Sequence, residues 1–335
     1  MKTGGWDVLI VGAGISGLMA AQQLTAVGIS VALVDKGRSP GGRLATRRIG
    51  PGQADHGAQF FTVRTAIGHD LVTRWLREEL IFEWSRGWSD GSLESPKSDG
   101  YPRYAVHGGF NALAKHLAQD LDVQLSIKLK SVAEGNNGRW LAIGENGERF
   151  ECQAIVLTPP VPQSLALLDN GHFEMPASER RQLEAIEYAP CLCGMFLVDG
   201  EIALPEPGAF QRPSHAISWI ADNLRKGISP EGRVLTVHAG PDSSHAHWPN
   251  SDESILTWMN QEIEPLLSPG AVVRENQLKR WRYALPVRLH PDRFLSTQSG
   301  PLLYFAGDAF HEPRVEGAML SGLAVAEDLI GRFGY

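Results

Sequence analysis

The sequence predicts an α/β protein in which both ends of the chain build one parallel-sheet unit and the middle supplies an inserted α+β unit. Three observations predict it. Near the N-terminus an apolar run (8–11) breaks at a glycine turn, continues as a helix-like stretch (14–27) and returns as a second apolar run (30–35). That is a strand–helix–strand unit. Near the C-terminus the run 302–306 stops at Gly307-Asp308, and a glycine-bearing helical stretch (318–330) follows. Between about 163 and 285 the pattern changes to short strands and helices parted by Pro/Gly-rich links.

In order, residues 37–62 are rich in Gly, Arg and Thr and read as an extended, ligand-facing stretch. A helix is expected over 66–80, with Leu71, Trp75 and Ile81 among its apolar positions, then a Trp/Ser/Gly-rich loop over 83–100. Phe110, Leu113, Leu117 and Leu121 recur at helical spacing over 109–121. Alternating segments at 123–132 and 140–143, then Phe150, flank a Gly144–Gly147 turn and predict an antiparallel meander. The run 154–158 is a buried strand stopped by Pro159 and Pro160. Beyond it, helices are expected near 178–187 and 252–267 and strands near 191–198, 216–220 and 233–238, with links at 204–213 and 227–232. No internal repeat or low-complexity tract occurs.

Composition removes several function classes. Hydrophobic residues make up 43% and charged residues 21%, as in ordinary globular proteins. The balance of 31 basic against 38 acidic residues gives −7, so no overall electrostatic case for nucleic acid exists. Three cysteines (Cys152, Cys191, Cys193) without CxxC or Cys/His ligand spacing argue against a disulfide framework and a metal site. No apolar run reaches the ~18 residues of a membrane span. The N-terminal apolar stretch has only Lys2 as a basic leader, and its glycines serve another purpose; a cytoplasmic protein is expected.

That purpose is Gly12-Ala13-Gly14-Ile15-Ser16-Gly17. Gly12 permits the tight turn, Gly14 lets the backbone approach a pyrophosphate, and Gly17 lets the helix pack on the strand. The helix N-terminus turns its free N–H groups on the phosphates, and Asp35 ends the next strand where ribose hydroxyls can be bonded. A Rossmann-like site for an adenine dinucleotide follows, without a choice between FAD and NAD. The strand ending at Gly307-Asp308 places a second carboxylate where ligand hydroxyls can be bonded, and Gly317–Gly322 open a helix that favours negative charge at its N-terminus.

Gly41-Gly42-Arg43 and Asp55-His56-Gly57-Ala58-Gln59-Phe60 then give the sequence a likeness. It resembles the flavin amine-oxidase superfamily, and more closely its bacterial renalase-like group. The matching segments are GGRLATRR (41–48), ADHGAQFFTVR (54–64), PRYAVHGGFNALAKHLA (102–118), RWRYALP (280–286) and GDAFHEPRVEGAMLSG (307–322). The resemblance implies a p-hydroxybenzoate-hydroxylase-like flavoprotein with non-covalent FAD. It also implies oxidation of 2- and 6-dihydro isomers of NAD(P) to NAD(P)⁺, with O₂ as acceptor and H₂O₂ as product. By position, Ala13, Asp35, Lys36, Arg43, Gln59, Leu129 and Asp308 match FAD contacts. Gly12, Gly14, Ser16, Gly17, Gly42 and Gly317 complete the expected cofactor set. The substrate pocket would draw on Gln59, Phe60, Phe61, Thr62, Arg103, Tyr104 and Arg314. Ala309-Phe310-His311-Glu312 departs from the group's pattern after Gly-Asp.

The FAD-binding domain is accordingly expected over 1–65, 105–162 and 286–335, and the substrate domain over 66–104 and 163–285. Trp219 and Trp248 are candidates for an aromatic wall and His238 for a hydrogen-bonding partner, each against a plain structural reading. Arg47 and Arg48 are read as solvated or as holding substrate phosphates, and Glu316 as a simple helix-start acid. An amine oxidase or desaturase remains the rival enzyme reading, although Lys226 and Lys279 stand in no motif for a lysine near the flavin. A non-catalytic flavoprotein is the third reading.

Overall fold

The computed structural model describes residues 5–92, 98–135, 138–297 and 300–335. In chain order its elements begin β1 (Trp6–Val11), α1 (Ile15–Ala26), β2 (Val31–Asp35), β3 (Thr46–Ile49), β4 (Gly52–Asp55), α2 (Ala66–Arg77), β5 (Ile81–Ser85), β6 (Arg103–Val106) and α3 (Phe110–Leu117). They continue β7 (Val123–Leu125), β8 (Leu129–Glu134), β9 (Trp140–Gly144), β10 (Arg149–Leu157), α4 (Val161–Asn170), α5 (Ala177–Glu184), β11 (Glu187–Asp199), β12 (Ala209–Gln211) and β13 (Ile217–Asp222). Last come β14 (Arg233–Ala239), α6 (Pro241–His247), α7 (Asp252–Ile263), β15 (Val272–Arg288), β16 (Leu295–Ser296), β17 (Leu302–Phe305) and α8 (Val315–Phe333). Two compact units divide the chain: Met1–Gly42 with Ala114–Glu187 and Pro286–Tyr335, and Arg43–Leu113 with Tyr188–Leu285. Residues 43–65 and 105–113 thus fall in the second unit.

In the first unit the sheet runs β16-β17-β10-β1-β2-β7. β1 pairs in parallel with both β2 and β10, and β17 joins β10 in parallel. Val8, Leu9 and Ile10 are completely buried because the central strand is covered on both faces, which is why its sequence is an unbroken apolar run. α1 and α8 pack on each other so closely that a Cβ at Gly322 would lie 2.1 Å from the Ser16 carbonyl oxygen.

In the second unit a five-stranded sheet runs β12-β13-β14-β11-β15. One face buries Phe196, Ile220, Leu235 and Val237 against Ile255, Met259 and Ile263 of α7. Ser251 starts that helix by accepting a hydrogen bond from Ser254 N at 3.2 Å, and Asp252 and Glu253 add favourable charge to its first turn. Hairpins β3–β4 and β5–β6 complete the unit.

Several expectations change. The stretch 37–62 contains the β3–β4 hairpin, and the predicted loop at 83–100 starts inside β5; its residues 93–97 lie outside the described residues. The single segment expected at 123–132 is two strands: β7 extends the parallel sheet beyond β2, whereas β8 belongs to the meander with β9. β10 serves both roles predicted for separate strands, pairing with β9 through its first half and β17 through its second. The prolines beyond the strand also begin α4, with Pro160 as its N-cap and Pro162 in its first turn, where proline is tolerated. The link 204–213 holds the short strand β12. His245 and His247 lie on α6. The 17-residue β15 has no sequence prediction at all; its residues are mostly half-buried or exposed, as befits an edge strand.

Candidate functional site

The first unit carries a nucleotide cradle. Gly12 adopts φ +103, and a Cβ there would sit 2.3 Å from Thr158 Oγ1, which donates to Val11 O at 2.9 Å and to Gly12 O at 3.2 Å. At Gly17 a Cβ would meet Gly12 O at 2.1 Å, so only glycine lets α1 rise directly from the turn. A Cβ at Gly14, by contrast, would face open space. Gly14 is also the N-cap of α1 and no side chain caps that end. Ser16, in the first turn, has a buried hydroxyl without a partner. Open space, free amides and an orphaned hydroxyl together fit an anionic ligand.

Gly41 lies beside Gly14, its N–H donating to Ala13 O at 2.8 Å, and a Cβ at Gly42 would be 3.6 Å from Gly14 Cα. The two glycine turns therefore abut. Asp35 accepts from Ala13 N at 2.8 Å and from Gly37 N at 2.6 Å, tying the cradle's rim together. A carboxylate has further lone pairs for hydroxyls. Ile127 N donates to Asp35 O at 2.9 Å, which brings the start of β8 and its buried Leu129 to the same end of the sheet. Lys36 instead reaches Gln163 Oε1 at 3.0 Å.

At the C-terminal turn Gly307 adopts φ +135 and its N–H donates to Ser321 Oγ at 2.8 Å, so α8 holds the Gly307-Asp308 corner. Asp308 is half-buried there. Arg314 is the N-cap of α8, about half exposed, with Glu312 3.6 Å away. A Cβ at Gly317 would meet Glu312 O at 2.2 Å, so this helix start too is closely wrapped by backbone. Glu316 stands in the first turn of α8, as expected of a helix-start acid, and is buried.

The second unit holds the remaining predicted residues. Arg43 donates to Tyr283 O at 3.3 Å and Ala284 O at 3.2 Å. A Cβ at Gly57 would lie 2.0 Å from Arg43 O, so these segments are pressed together. The Gln59 amide faces inward: Nε2 donates to Asp55 O at 2.7 Å and Oε1 accepts from Trp219 Nε1 at 3.3 Å. Phe61 is core, hydrogen-bonded by its backbone to Tyr104 in both directions and packed against Trp75, Tyr104 and Phe110. Thr62 is half-buried and Tyr104 buried. Phe60 joins Trp84, Trp88 and Trp219 in an aromatic cluster, with the Arg103 guanidinium 5.9 Å from the Phe60 ring and 5.6 Å from the Trp88 ring. Arg103 also grips Asp99 at 2.8 and 2.6 Å, and this bond holds the Asp99 carboxyl at about 2. Trp248 is not part of that cluster; it packs on the α7 core under Arg280 and Arg282.

His56 and Trp281 are not among the expected site residues, whereas His238 is the candidate hydrogen-bonding partner named from the sequence. His56 is buried and stacked on Trp281 at 5.4 Å and 17°, and Trp281 Nε1 donates to His56 O at 2.7 Å. His56 Nδ1 and His238 Nε2 are both buried without partners. Burial, then Arg47 and Lys279, push the His56 imidazole down to about 3; burial pushes His238 down to about 4. Lys279 Nζ lies 4.7 Å from the Trp281 ring. These are two neutral imidazoles with unused nitrogens, beside a flat indole face and two cations. The signal was present, since His56 and Trp281 lie inside quoted motifs, but their partnership spans most of the chain.

Among the described residues no His/Cys/Asp/Glu group is placed to hold a metal, and no helix is long and apolar enough to cross a membrane. The family described as flavin containing amine oxidoreductase matches residues 81–330. The chain belongs to that family. An NAD(P)-binding Rossmann-like domain matches residues 10–77, over the glycine cradle. This flavin amine oxidoreductase is similar to renalase of Mus musculus, at 24% identity over 96% of this chain and 98% of that protein. Over 57 residues it is 44% identical to hydroxyneurosporene desaturase of Rubrivivax gelatinosus, covering 17% of this chain and 11% of that protein. A cofactor-binding variant of putrescine oxidase shares the fold with TM-score 0.72 at 17% identity, covering 98% of this chain and 99% of that one. The chain is thus a renalase-like, FAD-dependent oxidoreductase.

Asp308→Ala is expected to weaken FAD retention by about 1.5–3 kcal/mol, the range for a hydrogen bond to a charged acceptor. Dialysis followed by flavin titration measures it; an unchanged dissociation constant would reduce Asp308 to a turn residue.

Proposed function

We propose that this oxidoreductase oxidises the 2- and 6-dihydro isomers of NAD(P), with oxygen as final acceptor. Dihydronicotinamide, O₂ and a proton give NAD(P)⁺ and H₂O₂. The glycine cradle and Arg314 belong to the first unit, and the other expected donor residues, Gln59, Phe60, Phe61, Thr62, Arg103 and Tyr104, to the second. When bound, FAD supplies the two-electron acceptor that oxygen later regenerates.

The observation that carries this reading is the charge around His56. The charged groups acting on its ring are Arg47 and Lys279, and both oppose a further positive charge there. A polyamine or catecholamine arrives as a cation and would be repelled. A nicotinamide nucleotide arrives with anionic phosphates and a flat ring that the Trp281 face can stack. Its neutral carboxamide can both donate to and accept from unpartnered imidazole nitrogens. Oxidation of such a ring requires alignment more than a strong base, so neutral histidines suffice. Lys226 offers no rival chemistry, because it is completely buried against Asp55.

A donor panel tests the proposal. Mixed anaerobically, 2- or 6-dihydronicotinamide nucleotides should bleach the flavin far faster than polyamines, catecholamines or ordinary NADH. Any amine as fast as the isomers would return the reading to an amine oxidase. Bleaching by no donor would leave a non-catalytic flavoprotein. Arg314→Ala should slow the reduction while FAD stays bound, because that residue starts α8 beside the Gly307-Asp308 turn; an unchanged rate would remove it from the donor site.

A further inference from the structure

The second unit contains an ion pair with both side chains at 0% exposure: Lys226 Nζ lies 2.6 Å from Asp55 Oδ2. The same ammonium donates to Gln59 O at 2.7 Å and lies 4.8 Å from the Trp84 ring and 5.3 Å from the Phe110 ring. Asp55 is satisfied on every side. Its Oδ1 accepts from Thr46 Oγ1 at 2.6 Å and Phe110 N at 2.8 Å. Its carbonyl accepts from Gln59 Nε2 at 2.7 Å and Thr236 Oγ1 at 2.8 Å. Asn223 accepts from Asp55 N at 3.3 Å and donates to Thr236 Oγ1 at 2.9 Å.

A buried pair of this kind is weak evidence for stability, because well-packed apolar residues of similar volume often serve as well. What it fixes is geometry. One ammonium seizes both the Asp55 carboxylate and the Gln59 carbonyl, and the Gln59 side chain closes the loop back onto Asp55 O and outward to the Trp219 indole. The segment from Asp55 to Gln59 is thereby pinned at both ends, and Phe60, next in sequence, leads into the Trp84–Trp88–Trp219 cluster under Arg103.

We infer that Lys226 is a positioning residue for the donor site: through Asp55 and Gln59 it sets the wall formed by Gln59, Phe60 and Trp219, and it exchanges no proton with the substrate. This rests on the proposed location of the donor site in the second unit. Its chemistry excludes the alternative use of Lys226, since the ammonium has no exposed surface and its hydrogen bonds run to Asp55 and Gln59.

The test uses the FAD-loaded protein and whichever donor bleaches the wild-type flavin fastest, so failure of the dihydronicotinamide reading is seen in the wild type and leaves this test intact. The double variant Asp55→Asn/Lys226→Met removes both charges at nearly constant volume. It should keep FAD, raise the half-saturating donor concentration about tenfold, a coupling of about 1.4 kcal/mol, and leave the limiting reduction rate within about threefold. Lys226→Arg keeps the charge but cannot place one nitrogen on both oxygens, and it should shift half-saturation in the same direction if the double variant does not fold. The Trp219 indole N–H resonance should move in either variant, and this readout needs no donor. Unchanged half-saturation with an unmoved indole resonance would overturn the proposal. So would a limiting rate that collapses at normal half-saturation and is restored by added methylamine.

Discussion

Gly17→Val is expected to yield a colourless protein that no longer retains FAD. The first side-chain carbon would be placed 2.1 Å from Gly12 O and 3.1 Å from Ile10 Cγ2, and neither can withdraw. Gly12 is held at φ +103 against Thr158, and Ile10 is a completely buried residue of the central strand. The only relief is for α1 to lift away from β1, which moves its unpaired amides away from the phosphates. Close-packed interiors tolerate such overlap poorly. Gly331→Ala is the control: its new methyl meets nothing within 4 Å on the same fold's last helix, and it should be neutral or stabilising by about 0.5–1 kcal/mol. Flavin absorbance per protein, with circular dichroism to confirm folding, measures both. A folded, fully yellow Gly17→Val protein would refute the assigned role of the turn.

The second large effect is acid lability well above the carboxylate range. His56 and His238 are held down to about 3 and about 4 in the folded protein. In the unfolded chain both titrate near 6.5. Below about pH 6.5 the unfolded state therefore binds protons that the folded state refuses. Stability is full above that pH and falls as the pH drops toward about 4, each histidine contributing up to about 1.4 kcal/mol per pH unit. Asp99, held low by Arg103, loses its contribution only at lower pH. Asp222, raised by burial, works in the opposite direction and moderates the slope. Urea midpoints between pH 7 and pH 5 should decline, and His238→Leu should flatten that decline by about half if the two sites are independent. A midpoint constant over this range would mean the imidazoles are not buried neutral.

The legibility of this protein from its sequence divides along a physical line. The cradle was legible because its determinants are local: a strand buried on both faces must be apolar throughout, and a turn that admits no Cβ must be glycine. Gly12, Gly17 and Gly317 all sit where a side chain would strike backbone or a neighbouring hydroxyl. The donor-side arrangement was not legible in the same way. His56 meets Trp281 and Asp55 meets Lys226 only after long stretches of chain have folded back, and no spacing rule connects them. β15 escaped notice because Arg274, Glu275, Lys279, Arg280 and Arg282 interrupt any alternation; an edge strand can carry them because little of it is buried. Phe61 shows the converse: a residue inside a specific motif can still be ordinary core.

The proposed reaction gives the electrons of a dihydronicotinamide isomer to this protein's flavin. Its most direct measurement is a single anaerobic turnover with 2- or 6-dihydro-NAD(P), followed by product analysis and then readmission of oxygen. One NAD(P)⁺ should form per flavin bleached, and one H₂O₂ should be released as the yellow colour returns. Flavin that stays oxidised in the presence of both isomers, or bleaches without forming NAD(P)⁺, would contradict it.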